Sequence, residues 1–230
     1  MSGYQVIIRE KIIQQDMYYK NQIVMKYTIK YPQFISAYFY TVSDKLNSYY
    51  RTRAHMYEKS NVMNLYQMAT VEHEYSMAND FPFRQFEAYI AYVVPYNQNC
   101  AVSLYFDQYE YAGGAHGLTT RTSDTWNMQK SKKIQLSDLF PHKSNVGEYV
   151  TSYITEHIVK SAEGEKSQYF EDYEKLVKDN FKAGSFYLTK EGVVIYFQQY
   201  DIAPYAVGLP EFLIPYTPVG ATAPKCSPNT

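Results

Sequence analysis

The densest group of chemically capable side chains is the run Tyr105-Phe-Asp-Gln-Tyr-Glu-Tyr-Ala-Gly-Gly-Ala-His-Gly117. Side chains alternate along a strand, so Tyr105, Asp107, Tyr109 and Tyr111 share one face, while Phe106, Gln108 and Glu110 share the other. The first face is an aromatic row with a carboxylate in it. Phenol rings give contact area at low entropic cost, and their hydroxyls give directional hydrogen bonds, so the row reads as a ligand surface that ends at His116. A half-buried sheet whose tyrosines pack on a helix, with hydroxyls at the rim, has the same pattern. The candidate ligand-binding residues are therefore Tyr105, Asp107, Tyr109, Tyr111 and His116. An enzymatic alternative uses His116 with Asp107 or Glu110 as a base pair; a histidine bonded to its own loop accounts for the same residue, and no catalytic residue is assigned.

Other chemistries lack their motifs. Gly113-Gly114 is not followed by Gly-Lys-Ser/Thr and has no GxGxxG spacing, so it fits a bend or bulge between strands better than a phosphate cradle. His55, His73, His142 and His157 show no HxxxH, HExxH or His-Cys spacing, and no GxSxG elbow is present. Neither a metal nor a cofactor is expected.

The bulk numbers narrow the partners. Lys and Arg number 22 against 23 Asp and Glu, a net charge of −1, and there is no basic block, so nucleic acid is a poor partner. The longest apolar run, Ala88 to Val94, is far shorter than the roughly 18 residues of a membrane-spanning helix. No secretory signal is legible near Met1, which places the chain in the cytosol if it is complete and outside if an export signal has been removed. Cys100 and Cys226 are too few for a disulfide framework; a single bridge is left open. Tyrosine supplies 27 of 230 residues, which favours rings with polar tips.

The elements that must position these side chains follow from periodicity. Two β-rich runs, Tyr4–Gln15 and Tyr18–Tyr31, predict a hairpin with its break at Gln14-Gln15-Asp16 and its end at Pro32. From Ser36 to about Asn79 there is no Gly or Pro, and a three-four spacing predicts one long helix, or two broken near Lys59-Ser60-Asn61. Strands are predicted over Phe83–Tyr96, Asn99–Tyr111 and Gly117–Met128, a helical turn at Leu136–Phe140, and a helix at Val146–Val159 capped by Ser144 or Asn145. A helix from about Ser167 to Phe181, a hairpin about Lys190-Glu-Gly192 and a Pro-rich edge strand complete the pattern. The fold class is α+β, with antiparallel sheets packed with helices: a small N-terminal domain (1–97), a larger C-terminal domain (98–217) and a flexible tail (218–230).

Tyr109-Glu-Tyr-Ala-Gly-Gly-Ala-His-Gly117, Trp126-Asn127, Ile134-Gln-Leu-Ser-Asp-Leu-Phe140, Phe186-Tyr-Leu-Thr-Lys-Glu-Gly192 and Tyr200-Asp-Ile-Ala-Pro-Tyr-Ala-Val-Gly208 occur in that order. Together they resemble the RsiV-type domain of unknown function over about residues 105 to 217. Tyr31-Pro-Gln-Phe34 before the long helix and Pro82-Phe83 after it are similar to the small domain that usually precedes it. The resemblance implies a bacterial, extracytoplasmic, non-enzymatic binding or sensing module of the cell envelope. Its implied partner is a protein such as lysozyme, or a cell-wall glycan, since such domains also occur beside peptidoglycan deacetylase domains. The enzymatic alternative is a cell-wall hydrolase or esterase built on His116.

Overall fold

The computed structural model describes residues 6–160 and 168–227. The order is β1 (Ile7–Tyr19), β2 (Gln22–Ile35), α1 (Tyr40–Tyr57), a π-helical turn (Glu58–Val62), α2 (Met63–Ala78), β3 (Phe86–Gln98), β4 (Ala101–Tyr111), β5 (Leu118–Asn127) and β6 (Lys132–Lys133). After a 3-10 turn at Leu136–Leu139 come α3 (Val146–Lys160), α4 (Tyr173–Asn180), β7 (Phe186–Leu188), β8 (Gly192–Tyr196) and β9 (Glu211–Pro215). Hydrogen bonds order the strands β1-β2-β3-β4-β5-β6 in one sheet and β7-β8-β9 in a second. This is the α+β class expected from the sequence. β2 and β3 pair in parallel, a departure from the otherwise antiparallel pairing expected, and the helical segment between them supplies the long crossover that a parallel pair needs.

The chain divides into two compact units. Of the described residues, one unit comprises 6–92 and 106–120, and the other comprises 93–105, 121–160 and 168–227. The boundaries between the units fall inside β3, β4 and β5.

In the first unit, the β1/β2 turn lies at Lys20-Asn21, both at positive φ (45° and 63°), and not at Gln14-Gln15-Asp16. The polar run misleads because β1 is an edge strand with most side chains in water, so polarity there marks exposure and not a turn. Tyr4 and Gln5 lie outside the described residues. Pro32 does not end β2, which runs on to Ile35; pairing with β3 stops at Ile29, so at Pro32 the strand has a neighbour on one side alone.

The helical segment satisfies both readings of it, being helical throughout with an interruption at 58–62. The cause is visible in the buried positions. Leu46, Tyr50, Ala54 and Tyr57 follow the three-four rule, the next buried residue is Val62, five further on, and Leu65, Ala69 and His73 resume it. One π turn absorbs the extra residue and keeps the stripe on the sheet. Ser60 supports it by donating from Oγ to the Met56 carbonyl at 2.7 Å.

In the second unit, α3 carries Val150, Ile154 and Ile158 into a core with Leu136, Phe140, Val177, Leu188, Val193, Ile195, Phe212 and Ile214. Asn145 caps it: the Glu148 amide donates to Asn145 Oδ1 at 3.1 Å. α4 is shorter than expected; Ser167, its expected start, lies outside the described residues. The segment read as a flexible tail is tied down through Ser227. Cys226 is disulfide-bonded to Cys100, the Thr222 amide donates to the Leu139 carbonyl at 2.7 Å, and the Ser227 amide donates to Gln129 Oε1 at 2.7 Å. Its small residues reflect a segment laid against the protein surface, with residues 228–230 outside the described part.

The tyrosine excess has an alkaline consequence. Burial, as the first cause, raises the phenols of Tyr27, Tyr57, Tyr92, Tyr187, Tyr196 and Tyr216, Tyr27 being pushed up to about 12. The folded protein holds these protons more tightly than the unfolded chain. Their contribution is complete below the ordinary phenol value of 10.0 and is lost as pH rises from there through the folded values. Urea midpoints should therefore fall steeply above pH 10, with late phenolate absorbance from the buried rings. A midpoint flat to pH 12 would contradict this.

Candidate functional site

The expected site residues divide between the two units. Tyr105 belongs to the second, where its ring lies 4.8 Å from that of Tyr187 and 3.9 Å from the Arg121 guanidinium carbon. Arg121 is 8% exposed, pairs with Glu211 and also approaches the Tyr196 ring at 5.8 Å; Tyr187 donates to the other Glu211 oxygen at 3.1 Å. Tyr105 is thus one wall of a packed arginine–tyrosine stack.

Asp107, Tyr109, Tyr111 and His116 belong to the first unit. Phe106 fixes which way they face: it stacks on Tyr50 of α1 at 5.5 Å and meets Tyr92 at 5.9 Å, so Phe106, Gln108 and Glu110 look toward the helices. By alternation Asp107, Tyr109 and Tyr111 line the opposite face, all half-buried. Tyr89 of β3 lies on that same face, beside Thr28 in register, with Lys30 of β2 5.9 Å from its ring. The Tyr89 hydroxyl, and then the charge of Glu10, hold the Lys30 ammonium above its usual value. Lys30 and Tyr89 were not singled out from sequence, because Tyr89 sits in an apolar run that reads as a buried strand.

The bend after β4 fixes the two tyrosines at its base. Gly113 has a φ of +77°, and a Cβ there would meet the Phe86 ring at 3.1 Å, so glycine lets the loop fold back onto β3. The Gly114 carbonyl accepts from Tyr111 Oη at 2.9 Å and from Arg84 Nη1 at 2.9 Å. The Tyr109 ring packs against Gly117, where a Cβ would come within 2.3 Å of the ring and 2.7 Å of the Glu110 carbonyl. Gly117→Ala therefore forces both ring and backbone to move, at about 1–3 kcal/mol. A urea midpoint unchanged in Gly117→Ala would show that Tyr109 is not held there.

His116 is exposed, and its Nδ1 lies 3.1 Å from the Gly117 carbonyl. Glu110 is turned to the helices, where its Oε1 accepts from Tyr57 Oη at 2.7 Å. Strand alternation thus places Glu110 on the helix side and Asp107 on the opposite face. Among the described residues no group of three or more His, Cys, Asp or Glu side chains is placed to hold a metal ion.

Near the π turn, carboxylates take phenol and imidazole partners. Glu58 accepts from Tyr27 Oη at 2.6 Å and lies 3.0 Å from His55 Nδ1; the Tyr27 hydroxyl, then His55, hold its carboxyl below the usual range.

Residues 19–119 match the family model described as Deacetylase PdaC, and residues 137–217 match that of a protein of unknown function, DUF3298. No curated protein matches. A crystal structure of a DUF3298 family member from Bacteroides fragilis NCTC 9343 superposes with a TM-score of 0.72 at 18% identity, covering 94% of this chain and 92% of the other. A DUF3298 family protein from Pseudomonas aeruginosa PAO1 gives 0.61 at 17% identity, covering 92% and 90%. A stretch that matches the PdaC model is thus followed along the chain by one that matches the DUF3298 model, on a fold shared with solved DUF3298 family proteins.

Proposed function

We propose that this protein is a non-enzymatic binding module of a bacterial cell envelope, and that it recognises cell-wall glycan through the tyrosine face of the first unit. The observation that carries the reading is the fixing of Tyr109 on Gly117 and of Tyr111 on the Gly114 carbonyl. Rings already immobilised lose little entropy when a sugar is laid on them, and the neighbouring Lys30 and Asp107 supply polar contacts at the edge of such a platform. One further fact supports the envelope setting: the Cys100–Cys226 disulfide is the kind of bond that persists in an oxidising compartment.

Calorimetric titration of the whole chain with soluble peptidoglycan fragments tests it, with lysozyme as a parallel arm. Heat with the fragments is expected, weakened roughly 3- to 10-fold by Tyr111→Ala, the effect of one lost aromatic contact. Heat with lysozyme alone would replace the glycan by a protein partner, and no heat with either at high micromolar concentration would end the binding reading.

A further inference from the structure

A polar pocket of about 530 Å³ lies where α1 crosses the β1/β2 hairpin of the first unit. Its described lining includes Lys11 of β1, Tyr31 of β2, and Asp44, Asn47, Ser48 and Arg51 of α1. Asp44, Ser48 and Arg51 recur at steps of four and three residues, so they stand in one row along the helix, and all three are exposed. The volume lies within the range of small-molecule sites.

The way α1 lies on β2 orders the charges in this pocket. Asn47 grips the strand by two bonds: its Oδ1 accepts from the Phe34 amide at 2.7 Å, and its Nδ2 donates to the Phe34 carbonyl at 3.0 Å. Earlier on the strand Tyr27 donates to Glu58, just past the end of α1, so helix and strand run in opposite directions. Tyr31 falls between these two ties, and it lines a small pit with Tyr50 and Ala54, on the turn of α1 that carries Arg51. Lys11 is the register partner of Tyr31 across the hairpin and stands at the same end. Asp44 lies three residues before Asn47, at the other end. The pocket is thus cationic at one end and anionic at the other, with the Ser48 hydroxyl between them. Among the described residues no ion pair joins Asp44 to Lys11 or to Arg51.

The spacing of the charges selects the ligand. Asp44 and Arg51 are seven positions apart, which is about 10 Å along a helix axis. Helical side chains lean toward the N-terminus, and the long arm of Arg51 leans further than that of Asp44, so the charged groups come closer than their Cα atoms. A dipeptide extended between its ammonium and its carboxylate spans about 7 Å. A single amino acid carries both charges on one carbon. A lone anion would meet the Asp44 carboxylate, and a lone cation would meet Lys11 and Arg51.

We propose that this pocket binds a short peptide of dipeptide length with both of its termini uncapped. Arg51 and Lys11 take the carboxylate, Asp44 takes the ammonium, Ser48 bonds the peptide unit between them, and the Tyr31 ring forms a wall for the peptide side chains. Asn47 is a positioning residue, since its bonds to Phe34 fix the helix over the strand. The assignment rests on this pocket alone, and it stands or falls separately from the glycan reading of the tyrosine face.

Backbone and side-chain NMR of the labelled full chain tests it, with four sugar-free probes titrated to roughly 10 mM, the weak end of measurable affinity. Alanylalanine carries both charges at dipeptide spacing. Its N-acetyl derivative lacks the ammonium, its C-terminal amide lacks the carboxylate, and alanine brings both charges onto one carbon. The expected result is saturable shifts at Asn47, Ser48 and Arg51 with alanylalanine, weakened about tenfold or more by either cap and with alanine, as the loss of a charged hydrogen bond implies. Asp44→Asn should weaken alanylalanine about tenfold and leave the N-acetyl derivative unchanged. Arg51→Gln should weaken the N-acetyl derivative and leave the C-terminal amide unchanged. Both positions are exposed on α1, so both variants should keep the parent urea midpoint. Equal affinity for capped and uncapped dipeptides would overturn the charge assignment, and alanine binding as tightly as alanylalanine would overturn the length. Shifts confined to other parts of the chain, or no shift with any probe, would overturn the pocket as a peptide site.

Discussion

Reduction of the Cys100–Cys226 disulfide, or Cys226→Ser, is expected to lower unfolding stability by roughly 3–5 kcal/mol, with the midpoint of urea unfolding moving accordingly. The bond closes a loop of 126 residues, and the constraint a cross-link places on the unfolded chain grows with the logarithm of the loop, reaching about 5 kcal/mol at this length. The folded side is already organised. Asn99 and Cys100 form a two-residue turn at φ 51° and 58° between β3 and β4, so one thiol is presented by a tight hairpin. The other is held by the 216–227 segment, which bridges Tyr216 to Ala221 and bonds to Leu139 and Gln129. Those ties survive reduction, so the loss should appear in the unfolding equilibrium more than in the native fold, with protease sensitivity confined to the end of the chain. Equal midpoints with and without reductant, at equal slope, would reject this account.

Arg121→Ala is expected to cost about 3–5 kcal/mol, the largest effect of any single side-chain truncation proposed here. Arg121 pairs with Glu211, covers Tyr105 and Tyr196 with its guanidinium, and is locked from behind by reciprocal 2.8 Å bonds between its backbone and the Gln198 amide. Truncation removes the charge partner of Glu211 and opens space between two rings. Glu211 is 39% exposed and can recover water, which sets the cost toward the lower end. Arg121→Lys keeps the charge and loses the flat stack, so an intermediate loss of about 1–2 kcal/mol is expected. A double-mutant cycle with Glu211→Gln separates ion pair from stack. If Arg121→Lys and Arg121→Ala prove equally destabilised, the charge contributes nothing and the stacking is the whole effect.

Much of this architecture is legible in the sequence. The stripe Val150, Ile154, Ile158, the Asn145 cap, the hairpin around Gly192 and the interruption of the long helix near Ser60 all follow from local rules, because each depends on residues within a few positions of one another. The misplaced turn at Gln14 to Asp16 shows where such rules fail: on an edge strand the alternation signal disappears, and the Lys20-Asn21 turn carries an asparagine but no glycine to mark it. The aromatic row on β4 is a strand property and is seen at once, yet whether Tyr105 keeps company with Tyr109 depends on Tyr187, Arg121 and the loop at Gly117. The bond from Tyr57 to Glu110 is invisible for the same reason, since the two lie 53 residues apart and meet only through the fold. The bridge from Cys100 to Cys226 spans still more of the chain.

The interleaving of the two units also bears on how such a protein can be inherited. β3, β4 and β5 each begin in one unit and finish in the other, so no single cut in the chain delivers both units whole. A cut after residue 97 parts Tyr50 from Phe106, and a cut at 120/121 parts Arg121 from Tyr105. Genetic recombination at one crossover would therefore yield two broken halves, and an insertion is tolerated more readily at the loop tips than at the junction of the two matched segments. The pair is expected to travel between genomes as one indivisible cassette, appended to other domains at its ends rather than taken apart in the middle.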